Sequence, residues 1–119
     1  CQKALGGLFG VSLPVDRAHL SFVGEPKAYR SSPFLERLFC ENCGSPIGAR
    51  YVEGLTDWPY SHLVGILVGT LDDPELVRPA FHFGVESRIS WVHFGEGLPE
   101  KRTDELPGFS ALWQREIPG

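Results

Sequence analysis

The sequence predicts a mainly β fold, and three observations predict it. Short apolar or alternating runs recur at close spacing along most of the chain. Fourteen glycines and ten prolines supply turns between them. A helix-period apolar face is found only near the end, where Phe109, Leu112 and Trp113 recur within residues 109–116. Many short strands with little helix signal read as a mainly β fold with short helical turns.

Taken in order, residues 8–13 alternate loosely and predict a strand stopped by Pro14. Residues 20–23 predict a second, closed by Gly24-Glu25-Pro26. Residues 28–31 and 35–39 predict a strand pair joined at Ser32-Pro33. The second of the pair runs directly into Cys40, and residues 47–52 leave on the far side as another strand. Residues 54–60 are rich in turn formers. Residues 62–68 are the most apolar run and predict the central strand. Asp72-Asp73-Pro74 predicts a turn, with one of the aspartates capping a helical turn over residues 74–77. Residues 80–83 and 91–94 predict two more short strands, residues 95–108 a loop, and residues 109–116 a terminal helix.

The chemistry concentrates in Phe39-Cys40-Glu41-Asn42-Cys43-Gly44-Ser45-Pro46. Thiolates at this spacing can reach one tetrahedral zinc. A glycine after the second cysteine permits the positive φ that curls such a loop under a metal. Two buried core cysteines are the bland alternative, but Gly-Ser-Pro is loop composition. A thioredoxin-type redox pair would want a helix starting at the first cysteine, and Gly44 and Pro46 oppose one there. Cys1 reads alone as either an ordinary thiol or the last member of a cysteine cluster. The histidines His19, His62, His82 and His93 stand at no ligand spacing from one another or from the cysteines, and a lone histidine on a strand is more often a hydrogen-bonded structural residue. Ser31-Ser32-Pro33 lacks the flanking glycines of a nucleophile elbow. Trp58, Trp91 and Trp113 suit core or lid packing better than a ligand platform.

Composition narrows the functions. A length of 119 residues suits one domain over residues 1–119, with a core of its own. A net charge of −4 and a pI near 5.5, with no basic patch, argue against nucleic-acid binding. No apolar run approaches the ~18 residues of a membrane span. Three cysteines without a disulfide framework favour a reducing, cytoplasmic compartment. The chain starts at Cys1 and has no methionine, so a preceding segment is expected in the natural protein.

Several blocks, in order, resemble one family. Cys1-Gln2-Lys3-Ala4-Leu5-Gly6-Gly7 resembles the end of a CxCxxCRKxxG cluster. Residues 24–32 are similar to a segment with Tyr29 and Ser31 at fixed spacing, and Phe39 to Pro46 to an FCxxCGSP block. Residues 69–74 resemble a G-S/T-L-D-D-P turn; Pro79, His82, Trp91 and Leu98-Pro99 fall where later family positions stand. The family is that of glutathione-dependent formaldehyde-activating enzymes, which includes centromere protein V. The resemblance implies a zinc-containing, mainly β fold of the Mss4-like type. It implies a structural zinc on an N-terminal CxC pair plus Cys40 and Cys43. It implies a second, catalytic zinc on the CxCxxC cluster, with Cys1 as the last cysteine, and a carbon–sulfur lyase-type reaction between a glutathione-like thiol and an aldehyde. The CxC pair and the first two cluster cysteines do not occur in this chain. On this reading Lys3 or His82 handles a proton, and Arg30, Arg37 and Arg50 offer local charge to an anionic thiol. The rival reading is a non-catalytic zinc-ribbon module that binds a partner or scaffolds.

Overall fold

In the computed structural model, which describes residues 1–114, the chain is mainly β. A short helix α1 (Gln2–Leu5) precedes five strands: β1 (Ser12–Asp16), β2 (Lys27–Arg30), β3 (Leu35–Phe39), β4 (Pro46–Tyr51) and β5 (Leu63–Leu67). They form one antiparallel sheet in the order β1-β5-β4-β3-β2. A two-residue parallel pair comes next, β6 (His82–Phe83) with β7 (Glu100–Lys101), among short 3-10 turns. No helix among the described residues is long and apolar enough to cross a membrane.

The strands follow from side-chain alternation. In β5, Val64 and Ile66 are buried while Leu63, Gly65 and Leu67 are half-buried, the period-2 pattern of a sheet packed on one side. Val64 and Ile66 join Leu38 of β3 in an aliphatic core, covered by Val15, Leu20, Phe22, Ile47 and Leu71. A second core gathers Phe34, Leu55, Trp58 and Leu112, with Leu35, Tyr51, Leu106 and Phe109 packed around it.

Several expectations change in the structure. Pro14 lies inside β1 and does not end it. A proline has no N–H to give, and β1 is an edge strand where none is needed on its open side. The most apolar strand, β5, is second in the sheet, and β4 is central. Residues 20–23 form no strand. The backbone closes a 3-10 turn at Arg17–His19, with the Leu20 N–H donating to the Arg17 carbonyl at 3.2 Å, and Leu20 and Phe22 become the cover of the aliphatic core. Residues 91–94 likewise form no strand; Val92 N–H donates to the Ile89 carbonyl at 3.0 Å in a turn, and Trp91 is exposed. The turn Pro74–Leu76 exists, but Asp73 caps it with no side-chain hydrogen bond. Its backbone carbonyl accepts from Leu76 N–H at 3.3 Å, and Pro74 presets the first φ. The expected loop over residues 95–108 contains β7 and the 3-10 turn Thr103–Glu105. At the end, Ser110–Gln114 is a 3-10 helix that buries Leu112, and residues 115–116 of the expected helix lie outside the described residues.

Candidate functional site

The β3–β4 hairpin carries the cysteine pair at its tip. Its two strands are paired from Leu35–Tyr51 up to Leu38–Gly48, and the next pair is Phe39–Pro46, so Ile47 is left without a partner. Such a bulge bends the strand and re-aims the adjoining tip. The tip itself is tied by Cys40 N–H to the Ser45 carbonyl at 2.9 Å and Gly44 N–H to the Cys40 carbonyl at 2.7 Å. Gly44 sits at φ 77°, the conformation for which a glycine is expected there.

The two thiols meet at this tip. The Ser45 hydroxyl, 3.2 Å from Cys43 Sγ, holds the Cys43 thiol below its ordinary pKa; the Ser45 backbone and the Cys40 side chain act in the same direction. Hydrogen bonds that favour the thiolate prepare the charge state a metal ligand needs. Cys43 is exposed and Cys40 half-buried, and neither is in a disulfide. Two adjacent thiols on a curled loop with thiolate-stabilising donors fit two corners of a tetrahedral zinc. Among the described residues no group of three His, Cys, Asp or Glu side chains gathers around a common point.

Cys1 is placed elsewhere, at the start of α1. Its carbonyl accepts from Leu5 N–H at 3.0 Å, closing the single helical turn. Its Sγ lies 3.6 Å from Nη1 of Arg37. Arg37 is on β3, paired across the sheet with Tyr29 and Ala49, and its Nε donates to Ser31 Oγ at 3.3 Å. Burial draws the Arg37 pKa down from its ordinary value without removing its charge. The structure therefore sets a fixed cation beside the Cys1 thiol. The Gln2 side-chain amide ties α1 to the second half of the chain, donating to the Ser87 carbonyl at 3.0 Å and to the Leu8 carbonyl at 3.3 Å.

The remaining sequence candidates divide. His82 is half-buried on β6, with Nε2 3.2 Å from the Gly95 carbonyl and its ring edge-on to Phe94 at 6.3 Å. Phe94 stacks on Phe9 at 5.0 Å, so His82 is linked through two rings to the segment after α1. Lys3 is exposed on α1. Arg30 and Arg50 belong to the opposite face of the sheet from Arg37. His19 and His62 are exposed, and Trp58 is core. The Cys1–Arg37 contact joins residues 36 positions apart. Its only sequence signal is a charged residue between Leu35 and Phe39 on the same strand face.

A family model described as glutathione-dependent formaldehyde-activating enzyme matches residues 1–87 of the chain. The match includes Cys1, Cys40, Cys43 and His82 and ends before Trp91 and Leu98-Pro99. No curated protein matches the chain.

Proposed function

The chain belongs to the glutathione-dependent formaldehyde-activating enzyme family, and from that premise we propose that it is a zinc-dependent enzyme of carbon–sulfur lyase type, acting on a glutathione-like thiol and an aldehyde. The observation that carries this reading is the separation of two thiol environments. Cys40 and Cys43 form a pair on a hairpin tip, whereas Cys1 is exposed beside the Arg37 guanidinium. In the proposal, Cys40 and Cys43 hold a structural zinc and Cys1 belongs to a second, catalytic zinc site. Bound zinc supplies positive charge that favours thiolate over thiol and polarises a carbonyl.

The reaction balances without oxidation. One bond forms between the thiol sulfur and the aldehyde carbon, and the thiol proton ends on the carbonyl oxygen. The reverse reaction breaks that bond. The chain's own contribution is position and charge. Arg37, fixed by Ser31, meets an anionic group of the thiol next to Cys1. His82 engages the Gly95 carbonyl through Nε2, which keeps that nitrogen as the donor and leaves Nδ1 as the acceptor in the neutral ring. A proton taken by His82 therefore enters at Nδ1. Lys3 is the other proton carrier in this reading.

Zinc per chain, by elemental analysis of the natural protein after exhaustive dialysis, is expected at about two. Cys1→Ser is expected to lower it to about one and to abolish thiol–aldehyde turnover, with the circular dichroism unchanged. Cys40→Ser is expected to unfold the domain, because a structural zinc contributes directly to folding. One zinc in the natural protein, indifferent to Cys1→Ser, would move the reading to a non-catalytic zinc-ribbon module. A well-folded Cys40→Ser protein would defeat the structural-zinc reading of Cys40 and Cys43.

A further inference from the structure

The helix that follows Cys1 cannot hold its own place. α1 is a single turn of four residues, none of them buried, and one isolated turn is unfavourable to form. Contacts with the rest of the chain must fix it. Gln2 Nε2 donates to the Ser87 carbonyl at 3.0 Å and to the Leu8 carbonyl at 3.3 Å. Leu5 closes on Gly10, where an added Cβ would stand 2.8 Å from Leu5 Cδ1 and 3.8 Å from Cys1 Cβ. Phe9, the residue before Gly10, stacks on Phe94.

The Gln2 contact reaches furthest, across 85 positions, and its acceptor is held from both sides. Ser87 ends the 3-10 turn Val85–Ser87. Before it, the Glu86 carboxylate accepts from Thr103 N–H at 3.0 Å and from the Thr103 hydroxyl at 3.1 Å. After it, Arg88 pairs with Glu100 of β7 at 2.8 Å. The Ser87 carbonyl is therefore a fixed point. The Gln2 amide has two N–H groups, and two backbone carbonyls accept from them. Apolar contacts such as Leu5 against Gly10 have no direction and let a short helix turn about its axis. Hydrogen bonds of preferred angle set that rotation.

The thiol and its neighbouring cation are thus held from different parts of the fold. Arg37 is fixed within the sheet by Ser31. Cys1, one residue from Gln2, is fixed from the Ser87 turn, and its Sγ then lies 3.6 Å from Arg37 Nη1. We infer that Gln2 is a positioning residue of the reactive site, its two hydrogen bonds keeping Cys1 against Arg37 so that an anionic reactant drawn to the guanidinium arrives at the thiol. This rests on the reading of Cys1 as part of that site, and it adds the Ser87 turn to the site's construction.

The test compares alkylation by anionic iodoacetate and by neutral iodoacetamide, read separately at Cys1 and Cys43 by peptide mass spectrometry. In the natural protein the iodoacetate-to-iodoacetamide rate ratio is expected to be about threefold higher at Cys1 than at Cys43, the size of a partly screened charge contact. Gln2→Met keeps the side-chain length and removes both donors. It is expected to bring the Cys1 ratio down to that of Cys43, with Cys43 and the circular dichroism unchanged. Arg37→Gln is expected to do the same, and Gln2→Met to add nothing to it, because both remove one contact. A merely stabilising Gln2 would change both reagents alike and leave the ratio intact. No preference at Cys1 in the natural protein, or a preference that survives Gln2→Met, would overturn the inference. Zinc per chain is counted apart from alkylation. One zinc per chain together with a Cys1 preference that Gln2→Met abolishes would count against the second-zinc reading and for the Gln2 anchor.

Discussion

The described residues form two hydrophobic cores, and they are held in different ways. The first is aliphatic. Leu38, Val64 and Ile66 come from β3 and β5, whose backbones are locked in register on either side of β4. The second is aromatic. Phe34, Leu55, Trp58 and Leu112 come from strand ends, a loop and a 3-10 turn. Rings meet edge to face around it, Phe34 with Phe109 at 5.7 Å, Phe34 with Trp113 at 4.9 Å and Tyr51 with Trp58 at 6.2 Å. Hydrogen-bond ladders decide where the side chains of the first core stand. Ring geometry and packing decide it in the second, because those segments have few backbone partners. The first core should therefore resist local collapse, and the second should accommodate change.

The largest effect that can break this contrast comes from one substitution made twice. Leu38 and Leu112 are each 1% exposed, one in each core. Leucine to alanine in a core costs about 2–5 kcal/mol, and the spread reflects how far the site can collapse. Leu38→Ala is expected near the upper end, about 4 kcal/mol, because the flanking strands cannot close the gap. Leu112→Ala is expected near the lower end, about 2 kcal/mol, because the rings around it can shift. Urea unfolding of both variants measures the difference. Equal costs, or a reversed order, would mean that ladders do not govern collapse here.

A finer test stays within the sheet. An added Cβ at Gly48 would overlap the Gly65 carbonyl oxygen and stand 3.3 Å from Ile66 Cα, all backbone of β5. Nothing there can rotate away, so Gly48→Ala must part β4 from β5, at a cost of about 1–3 kcal/mol. At Gly65 the nearest atoms to an added Cβ are the Ser12 side chain at 3.7 Å and the Ala49 carbonyl at 3.8 Å. Gly65→Ala is therefore expected within about 0.5 kcal/mol of the natural protein. Thermal melts that showed the two variants equally unstable would contradict the packing that places β4 against β5.

The same division explains how much of the molecule is legible in the sequence. The β3–turn–β4 hairpin is readable because alternation, a CxxC pair and a positive-φ glycine agree on one structure. The adjacency of Cys40 and Cys43 comes from their spacing alone. Strand order is not readable. Hydrophobicity reports burial, so β5 looks central although β4 is. Pro14 looks like a stop because an edge position is invisible without its neighbours. Leu20 and Phe22, and Trp91 and Phe94, have strand-like composition, but their side chains cover a core, stack on a neighbouring ring or face solvent where a ladder is expected. The Cys1–Arg37 contact needs the docking of α1, which no local pattern encodes.

The smallest effect separates the two regions by pH. Glu86 joins two 3-10 turns outside the large sheet. Its carboxylate accepts from Thr103 N–H at 3.0 Å and from the Thr103 hydroxyl at 3.1 Å. The Thr103 backbone bond is the main reason its pKa lies below the ordinary 4.5, with the nearby Arg102 charge adding to it. A folded pKa below the unfolded one stabilises the folded form above the unfolded value. That contribution is lost as pH falls through the folded value. The protection factor of the Thr103 amide, from hydrogen exchange, is therefore expected to be full at pH 7 and to drop below the ordinary glutamate range. Glu86→Gln should weaken it at pH 7 and make it indifferent to acid. The β3–β4 amides bond to backbone carbonyls, and the carboxylate on that ladder, Glu36, pairs with the Arg50 side chain and not with an amide, so they should keep their protection factors through the same titration. If they fell together with Thr103, the side-chain-linked region and the sheet would open as one unit, and the contrast between the cores would not extend to their dynamics.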